Sequence, residues 1–326
     1  MSKIPLPKPV WVPTFPINET KSWKEYLDNF GYVVIENVIN QDEINKHIDM
    51  AWNYFESLGT GISRHDVSTW DDDRWPQSAK GILLAGQCEF MWSLREIAHT
   101  IFSLLYETKD LAVSFDGFSV FRPPEINIKW QTQSVPWYHT DQNEKTKPGQ
   151  LCIQGQFALM DATDIDGGLV VVPQSQSHFQ EMFESYPELG NTEGDFIPLY
   201  KPETEQIWTD FLIPKKLQPI KVCHKRGCFV LWDSRTIHCN SPALVDQTNL
   251  SKPVYLQIRR LTGFICMIPM SFLNEQDKEK RRQVVLKGET TTHWPIDCVG
   301  HLHKKAASHI FKIENLSPVQ KSMIPF

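Results

Sequence analysis

Nowhere in the chain do eighteen apolar residues follow one another, so no ordinary membrane-spanning helix is expected. The first residues, Met1-Ser2-Lys3-Ile4-Pro5-Leu6-Pro7, lack an apolar stretch of signal-peptide length. Cysteine is present without a framework: the seven positions, 88, 152, 223, 228, 239, 266 and 298, are odd in number and irregular in spacing. The expectation is a cytoplasmic protein with free thiols. An excess of basic charge is also missing. The net charge is −6 with both signs mixed along the chain, which argues against nucleic acid as a partner, because phosphate binding needs a basic footprint. The pairs Lys215-Lys216, Arg281-Arg282 and Lys304-Lys305 read as solvated surface. No internal repeat is evident.

What the chain does hold is apolar and aromatic material. With 41% hydrophobic residues, 18 Phe and 11 Trp, it can bury a large core. Its 326 residues exceed the usual single domain, yet β-barrels and sandwiches often run to ~200 to 250, so one elaborated domain is as reasonable as two. Residues 1–20 carry five prolines and suggest an extended arm. A short helix pattern over Ser22 to Phe30 leads into the strand-like run Gly31 to Val38, rich in β-branched residues, and Ile44, Ile48, Ala51, Trp52 and Phe55 mark a helix from Gln41 to Leu58. Cys88 to Tyr106 keeps the same helical spacing.

After Asp110 the texture changes to short strand-like runs: Leu111 to Val120, Ile126 to Trp130, Gln150 to Met160, Gly168 to Val172, Gly227 to Trp232 and Val254 to Met267. Helices followed by many short strands separated by Gly and Pro predict a sandwich or jelly-roll decorated with helices. Residues 179–222 show few regular patterns. A span of that length without structure reads as a lid over a binding site.

The chemistry concentrates in Trp137-Tyr138-His139-Thr140-Asp141-Gln142 and Trp232-Asp233-Ser234-Arg235-Thr236-Ile237-His238. On a strand, residues i and i+2 share a face, so His139 and Asp141 can present an imidazole nitrogen and a carboxylate oxygen to one metal ion. A second His-x-Asp, His47-Ile48-Asp49, sits on the helical pattern, where i and i+2 diverge and cannot chelate. A third ligand is needed, and His238 and His178 compete for it. Two His and one carboxylate form the facial triad of non-heme Fe(II) oxygenases. Asp71-Asp72-Asp73 lacks the turn glycine and spacing of a calcium loop and reads as a solvated turn.

Several ordered motifs resemble the phytanoyl-CoA dioxygenase-like branch of the Fe(II)/2-oxoglutarate oxygenases. Phe30 to Ile39 with the helix after it resembles that family's opening strand and helix, and Trp137 to Gln142 its first metal motif. Gly167-Gly168-Leu169-Val170-Val171-Val172-Pro173 through His178 resembles its Gly-Gly-x-x-x-x-Pro-x-Ser-His turn, in which His178 would be structural. Gly227 to His238 resembles the strand and turn delivering the second metal histidine. Arg260 to Pro269 and Thr290-Thr291-Thr292-His293-Trp294-Pro295 resemble the C-terminal section of a subgroup.

The resemblance implies an α+β, mainly β fold: a double-stranded β-helix (jelly-roll, cupin-like) barrel with N-terminal and flanking helices. It places a single oxygenase domain over 21–326, with the barrel over about 111–270, the lid at 179–222 and a C-terminal extension at 271–326. It implies Fe(II) on His139, Asp141 and His238, with 2-oxoglutarate and O2 as co-substrates. Arg260 is the best match for the cation that grips the distal carboxylate of 2-oxoglutarate, a task suited to the planar guanidinium. It lies twenty-two residues beyond His238, further than in many relatives, with 246–252 resembling an inserted hairpin. Arg259 is the alternative, since on a strand only one of the two can point inward.

Gln154, at the family's Gln-Gly position, is a further cofactor-binding candidate, with a satisfied buried amide as the other reading. Arg235 reads as a turn residue pairing with a carboxylate. The implied activity is oxidation of an unactivated C–H bond of a small metabolite, by hydroxylation, ring closure or desaturation. A carboxylated substrate could be held by Lys129 or Arg122. Two alternatives are a catalytically silent metal-binding barrel and a zinc-binding interaction protein using Cys223, His224, Cys228 and Cys239.

Overall fold

A computed structural model describes residues 3–76, 81–132, 136–296, 298, 300 and 312–325. The chain begins with two short strands, β1 (Lys8–Trp11) and β2 (Thr14–Pro16), then α1 (Thr20–Phe30), β3 (Tyr32–Glu36) and α2 (Gln41–Ser57). After β4 (Ile82–Leu83) come α3 (Glu89–Tyr106), β5 (Leu111–Val113) and β6 (Phe118–Phe121). The middle of the chain holds β7 (His139–Thr140), β8 (Ile153–Ala158), β9 (Gly168–Val171), α4 (Phe179–Ser185), β10 (Ile197–Pro198) and α5 (Glu205–Ile207). Then follow β11 (Ile220–Cys223), β12 (Phe229–Asp233), β13 (His238–Ser241), β14 (Arg260–Pro269), α6 (Glu275–Lys287) and α7 (Pro318–Ser322).

The strands form two sheets. One runs β1-β11-β9-β13-β7-β10; the other runs β2-β3-β12-β8-β14-β6-β4, with β5 paired to β14. From β7 to β9, and again from β11 to β14, the chain crosses from one sheet to the other at every strand. The proline-rich start is extended as expected, and it adds an edge strand to each sheet. β1 pairs in parallel with β11, and β2 in parallel with β3. Edge positions tolerate Pro9 and Pro16, because the missing N–H there faces away from the ladder.

The first three helices, α1, α2 and α3, form where the apolar spacing predicts. Asn40 caps α2 in a reciprocal box with Glu43, and α2 buries Ile44, Ile48, Ala51, Trp52 and Phe55. Each of the larger side chains among them contributes roughly 1.5–3 kcal/mol of apolar transfer. His47 is a core residue of this helix, bonded to the Glu43 carbonyl and to Ser93 Oγ, so the second His-x-Asp does not chelate. α1 ends at Gly31, whose φ of 75° favours glycine and whose missing Cβ leaves room for Gln176 and Thr236.

On β14, Leu261, Ile265 and Met267 join the main core with Phe90, Met91 and Leu94 of α3. Gly263 lies on the same face, and a Cβ there would come 2.5 Å from Leu94. Arg260, Thr262, Phe264 and Cys266 therefore face the opposite way, toward the space between the sheets. Among the described residues no helix is long and apolar enough to cross a membrane.

Four local expectations need correction. Ile126 to Trp130 is no strand: Asn127 caps a 3-10 turn over Ile128–Trp130. The long run from Val254 becomes a strand only at Arg260, because Val254–Leu256 turns after Pro253. Residues 246–252 form no hairpin, since the Asp246 side chain caps a 3-10 turn over Gln247–Ser251. The span 179–222 is well structured. Its Phe179, Met182, Trp208, Phe211 and Leu212 pack with Tyr138, Val170 and Val172 into a second core, an apolar pattern too irregular in spacing to announce a helix.

Of the basic pairs, Lys215 is bonded to Glu181. Arg281 is the opposite of solvated: it is fully buried and donates to the carbonyls of Val113, Pro295 and Met323, tying the C-terminal section to the sheet. Lys304-Lys305 lies outside the described residues. Asp71-Asp72-Asp73 is a turn whose carboxylates pair with Arg74 and Arg122.

Candidate active site

Strand register brings the two histidines together. β7 and β13 are antiparallel neighbours, and His139 is the direct cross-strand partner of His238. Asp141 follows His139 by two residues at the strand's end, where its backbone N–H donates to the Ser234 carbonyl at 3.1 Å. His139 Nε2 lies 3.4 Å from Asp141 Oδ1, and His238 Nε2 lies 3.1 Å from Asp141 Oδ2. The ligand atoms of the three residues all lie within 4.8 Å of one another.

The other ring nitrogen of each histidine is engaged. His139 Nδ1 donates to the Trp137 carbonyl at 3.0 Å and His238 Nδ1 to the Thr236 carbonyl at 2.9 Å. These bonds fix the tautomer and leave each Nε2 lone pair facing the carboxylate, the arrangement a metal requires of imidazole. Gln154 Nε2 donates to Asp141 Oδ2 at 2.9 Å and orients it. The His139 ring lies flat on Trp137, with centroids 4.7 Å apart and planes 9° apart, and 4.5 Å from the Phe196 ring.

Burial lowers the pKa of His139, and the neighbouring His238 adds to the fall, so the ring is neutral near pH 7. Burial alone would raise Asp141. His293, His139 and His238 outweigh it and hold the carboxyl well below the usual carboxylate range. Two imidazole nitrogens and one carboxylate on one side of a small space fit a divalent first-row metal.

The two adjacent arginines have different surroundings. Arg259 is buried against Glu125 at 2.6 Å and Asp166 at 3.0 Å, and it also donates to the carbonyls of Leu244 and Ile165. Arg260, equally buried, points between the sheets. Its Nη1 donates to Asn240 Oδ1 at 2.7 Å and its Nη2 to Gln156 Oε1 at 3.0 Å, both neutral. No carboxylate among the described residues pairs with it, and burial pulls its pKa down to about 9. A buried guanidinium held by two amides and lacking a counter-charge fits the distal carboxylate of 2-oxoglutarate. Asn240 is two residues beyond His238 on β13, so this cation lies close to the triad.

A cavity of about 970 Å³ opens over the triad, lined by His139, Asp141, His238, Gln154, Asn240 and an apolar wall that includes Trp75, Leu84, Trp137, Leu169, Phe196, Trp232 and Phe264. Trp232 Nε1 is buried there without a partner. Asp116, Thr291, Thr292 and His293 also line it. Asp116 and His293 were not predicted as site residues. Asp116-Gly117 reads as an ordinary turn, and His293 belongs to no periodic element, so only its place in the motif Thr290 to Pro295 could have flagged it.

The remaining candidates fall elsewhere. His178 is outside the triad, with its Nδ1 3.1 Å from Glu181. Arg235 pairs with Asp233 at 2.7 Å and holds the turn before His238. Lys129 is exposed and does not line the cavity. Arg122 does line it but is bound to Asp72 at 2.6 Å. The proposed zinc set does not assemble: all seven cysteines are buried, Cys228 and Cys239 belong to different apolar clusters, and among the described residues the metal-holding group is His139, Asp141 and His238.

No family model matches the chain. A protein of Aspergillus versicolor named "Ava biosynthesis cluster protein O" is 26% identical over 284 residues, 84% of this chain and 85% of its own length. A Dictyostelium discoideum protein named "Putative phytanoyl-CoA dioxygenase" is 26% identical over 199 residues, 49% of this chain and 57% of its own. Among solved structures, the non-heme alpha-ketoglutarate-dependent carbocyclase SnoK from nogalamycin biosynthesis shares the fold, with a TM-score of 0.50 and 16% identity over 78% of this chain and 87% of its own. The chain is thus similar in sequence to a protein named as a phytanoyl-CoA dioxygenase and in fold to a 2-oxoglutarate-dependent enzyme, and its His-Asp-His group converges as the ordered motifs of that family would have it.

Proposed function

We propose that the chain oxidises an unactivated C–H bond of a small organic metabolite, by hydroxylation or by oxidative ring closure or desaturation, within specialised metabolism such as a natural-product route. The observation that carries this reading is the pairing of a convergent His-Asp-His group with a buried arginine that has only amide partners. The biosynthesis-cluster name of the Aspergillus relative supports the metabolic setting. The strand-by-strand alternation between two sheets supports a double-stranded β-helix as the barrel.

In this reading His139, Asp141 and His238 hold Fe(II), and Arg260 binds the distal carboxylate of 2-oxoglutarate. When bound, iron with 2-oxoglutarate and O2 supplies the oxidising power, and 2-oxoglutarate leaves as succinate and CO2. The chain's own residues supply position. Gln154 keeps one carboxylate oxygen of Asp141 in place, and the two carbonyl-bound Nδ1 atoms keep both imidazoles from rotating. Asn240 and Gln156 hold the Arg260 fork open for a bidentate partner. Trp137 and Phe196 cover His139, and the apolar wall keeps water away from the substrate carbon. Phe196 lies in the 179–222 span, which acts as the cover of the site.

Anaerobic titration of the metal-free protein with Fe(II) and 2-oxoglutarate tests the reading through the visible charge-transfer band of that complex. The band is expected in the wild type, absent in His139→Ala, weakened in Arg260→Ala and retained in Arg259→Ala where that variant folds. No band in a folded wild type overturns the assignment. A band without succinate on exposure to O2 favours the catalytically silent barrel.

A further inference from the structure

The C-terminal extension crosses back over the cavity. Gly86 N–H donates to Thr290 Oγ1 at 2.9 Å, Phe115 N–H to Thr291 Oγ1 at 3.0 Å, and Thr291 N–H to the Phe115 carbonyl at 3.0 Å. These bonds hold the segment of Thr291 against Phe115, and Asp116, Thr292 and His293 all line the cavity. Its other polar lining away from the triad, Gln154, Asn240 and the paired Arg122 and Asp72, is already engaged in hydrogen bonds.

Burial pushes the Asp116 carboxyl up to about 7, so above that pH it stands as an anionic acceptor. Its Oδ1 takes one backbone bond, from Gly117 at 2.8 Å, and among the described residues no cation pairs with the carboxylate; Arg95 donates to the backbone carbonyl of Asp116 instead. His293 Nδ1 lies 3.9 Å from Asp141 Oδ2, and its Nε2, on the other side of the ring, is buried with no partner among the described residues. A buried polar atom left unpaired costs about 1–3 kcal/mol, which a hydrogen-bonding group on a bound molecule would recover.

We propose that Asp116 and His293 form a substrate subsite that receives an N–H donor, an amine in particular, and so select a nitrogen-bearing aromatic substrate over a carboxylated one. The inference rests on the oxygenase reading for the identity of the cavity. In that scheme His293 is a positioning and specificity residue, and the substrate's nitrogen anchors its ring system against the aromatic wall.

The test uses two indoles of similar size and opposite charge, tryptamine and indole-3-propionate, with full-length protein loaded with Mn(II) and 2-oxoglutarate, which does not turn over. Equilibrium dialysis at pH 8.5 measures their binding, and the Mn(II) resonance signal reports metal occupancy in the same sample. Tryptamine is expected to bind at least about tenfold more tightly, the effect of one charge-assisted hydrogen bond. Asp116→Asn should remove the preference, and His293→Ala should weaken tryptamine binding while metal occupancy stays full. Equal binding of the two indoles by metal-loaded wild type overturns the subsite. A preference that survives Asp116→Asn also overturns it, because the discrimination then arises at Asp141. Absence of bound Mn(II) would instead count against the oxygenase reading, which separates the two failures.

Discussion

On one face of β14, Leu261, Ile265 and Met267 meet the apolar side chains of α3; on the other, Arg260 reaches across to Asn240 and Gln156 in the space beside the triad. The same strand thus borders a dry core and a polar reaction chamber, separated by the thickness of one backbone. Arg259 and Arg260 sharpen the contrast. Arg259 has two carboxylate partners and closes a loop junction, so its charge is already satisfied. Arg260 is as deeply buried and has none. Folding alone gives little reason to bury a lone cation, because its desolvation is unfavourable until an anion arrives.

The largest expected effect is at the triad: His139→Ala should reduce Fe(II) affinity by more than about 100-fold, beyond the losses that ligand-supporting residues produce. Metal analysis after dialysis checks this. Next come the arginines, which should move in opposite ways. Arg259→Ala should lower stability by about 3–5 kcal/mol, read from urea unfolding, because it strands two buried carboxylates. Arg260→Met should leave stability level or higher while weakening 2-oxoglutarate binding by about 100-fold, the loss of a bidentate charge-assisted contact. Equal stability losses in the two variants would erase the contrast. A smaller effect, about tenfold in metal affinity, is expected of Gln154→Ala, which frees Asp141 to rotate.

The smallest effect tests the dry side by pH. Burial lowers the pKa of His47 and of His224, both away from the triad. In the unfolded chain each titrates near about 6.5, so below that pH the unfolded state binds protons first. Their contribution to stability is therefore complete above about pH 6.5 and is lost as pH falls from there through the lowered folded values. The slope is at most about 1.4 kcal/mol per pH unit for each group. His47→Gln should flatten the dependence of the urea midpoint on pH between 7 and 5; an unchanged slope would mean that His47 is not held neutral.

Much of this arrangement was legible in the sequence because it depends on local period. His139 and Asp141 are two apart on a strand, and α2 and α3 carry their apolar stripes at helical spacing. Arg260 was legible only as one of two, since the choice needs the facing of β14, and Gly263 against Leu94 settles that facing in three dimensions. The 179–222 span escaped because Trp208 and Phe211 bury against strands far away in sequence, a pairing without a period. Asp116 and His293 escaped for the same reason: the segments that carry them to the cavity are joined by bonds between Phe115 and Thr291, 176 positions apart. Ile126 to Trp130 misled because β-prone residues stood where an Asn cap and two prolines dictate a turn.

The return of the C-terminal section to the cavity bears on how the protein is made. A chain emerging from the ribosome has the triad once His238 is out and Arg260 soon after, yet Thr291 and His293 close the wall only when most of the 326 residues exist. Arg281, bonded to carbonyls on both sides of it, anchors that late segment. Until then the triad faces an open chamber. Translation of Thr290 to Pro295 is thus also the step that closes its wall.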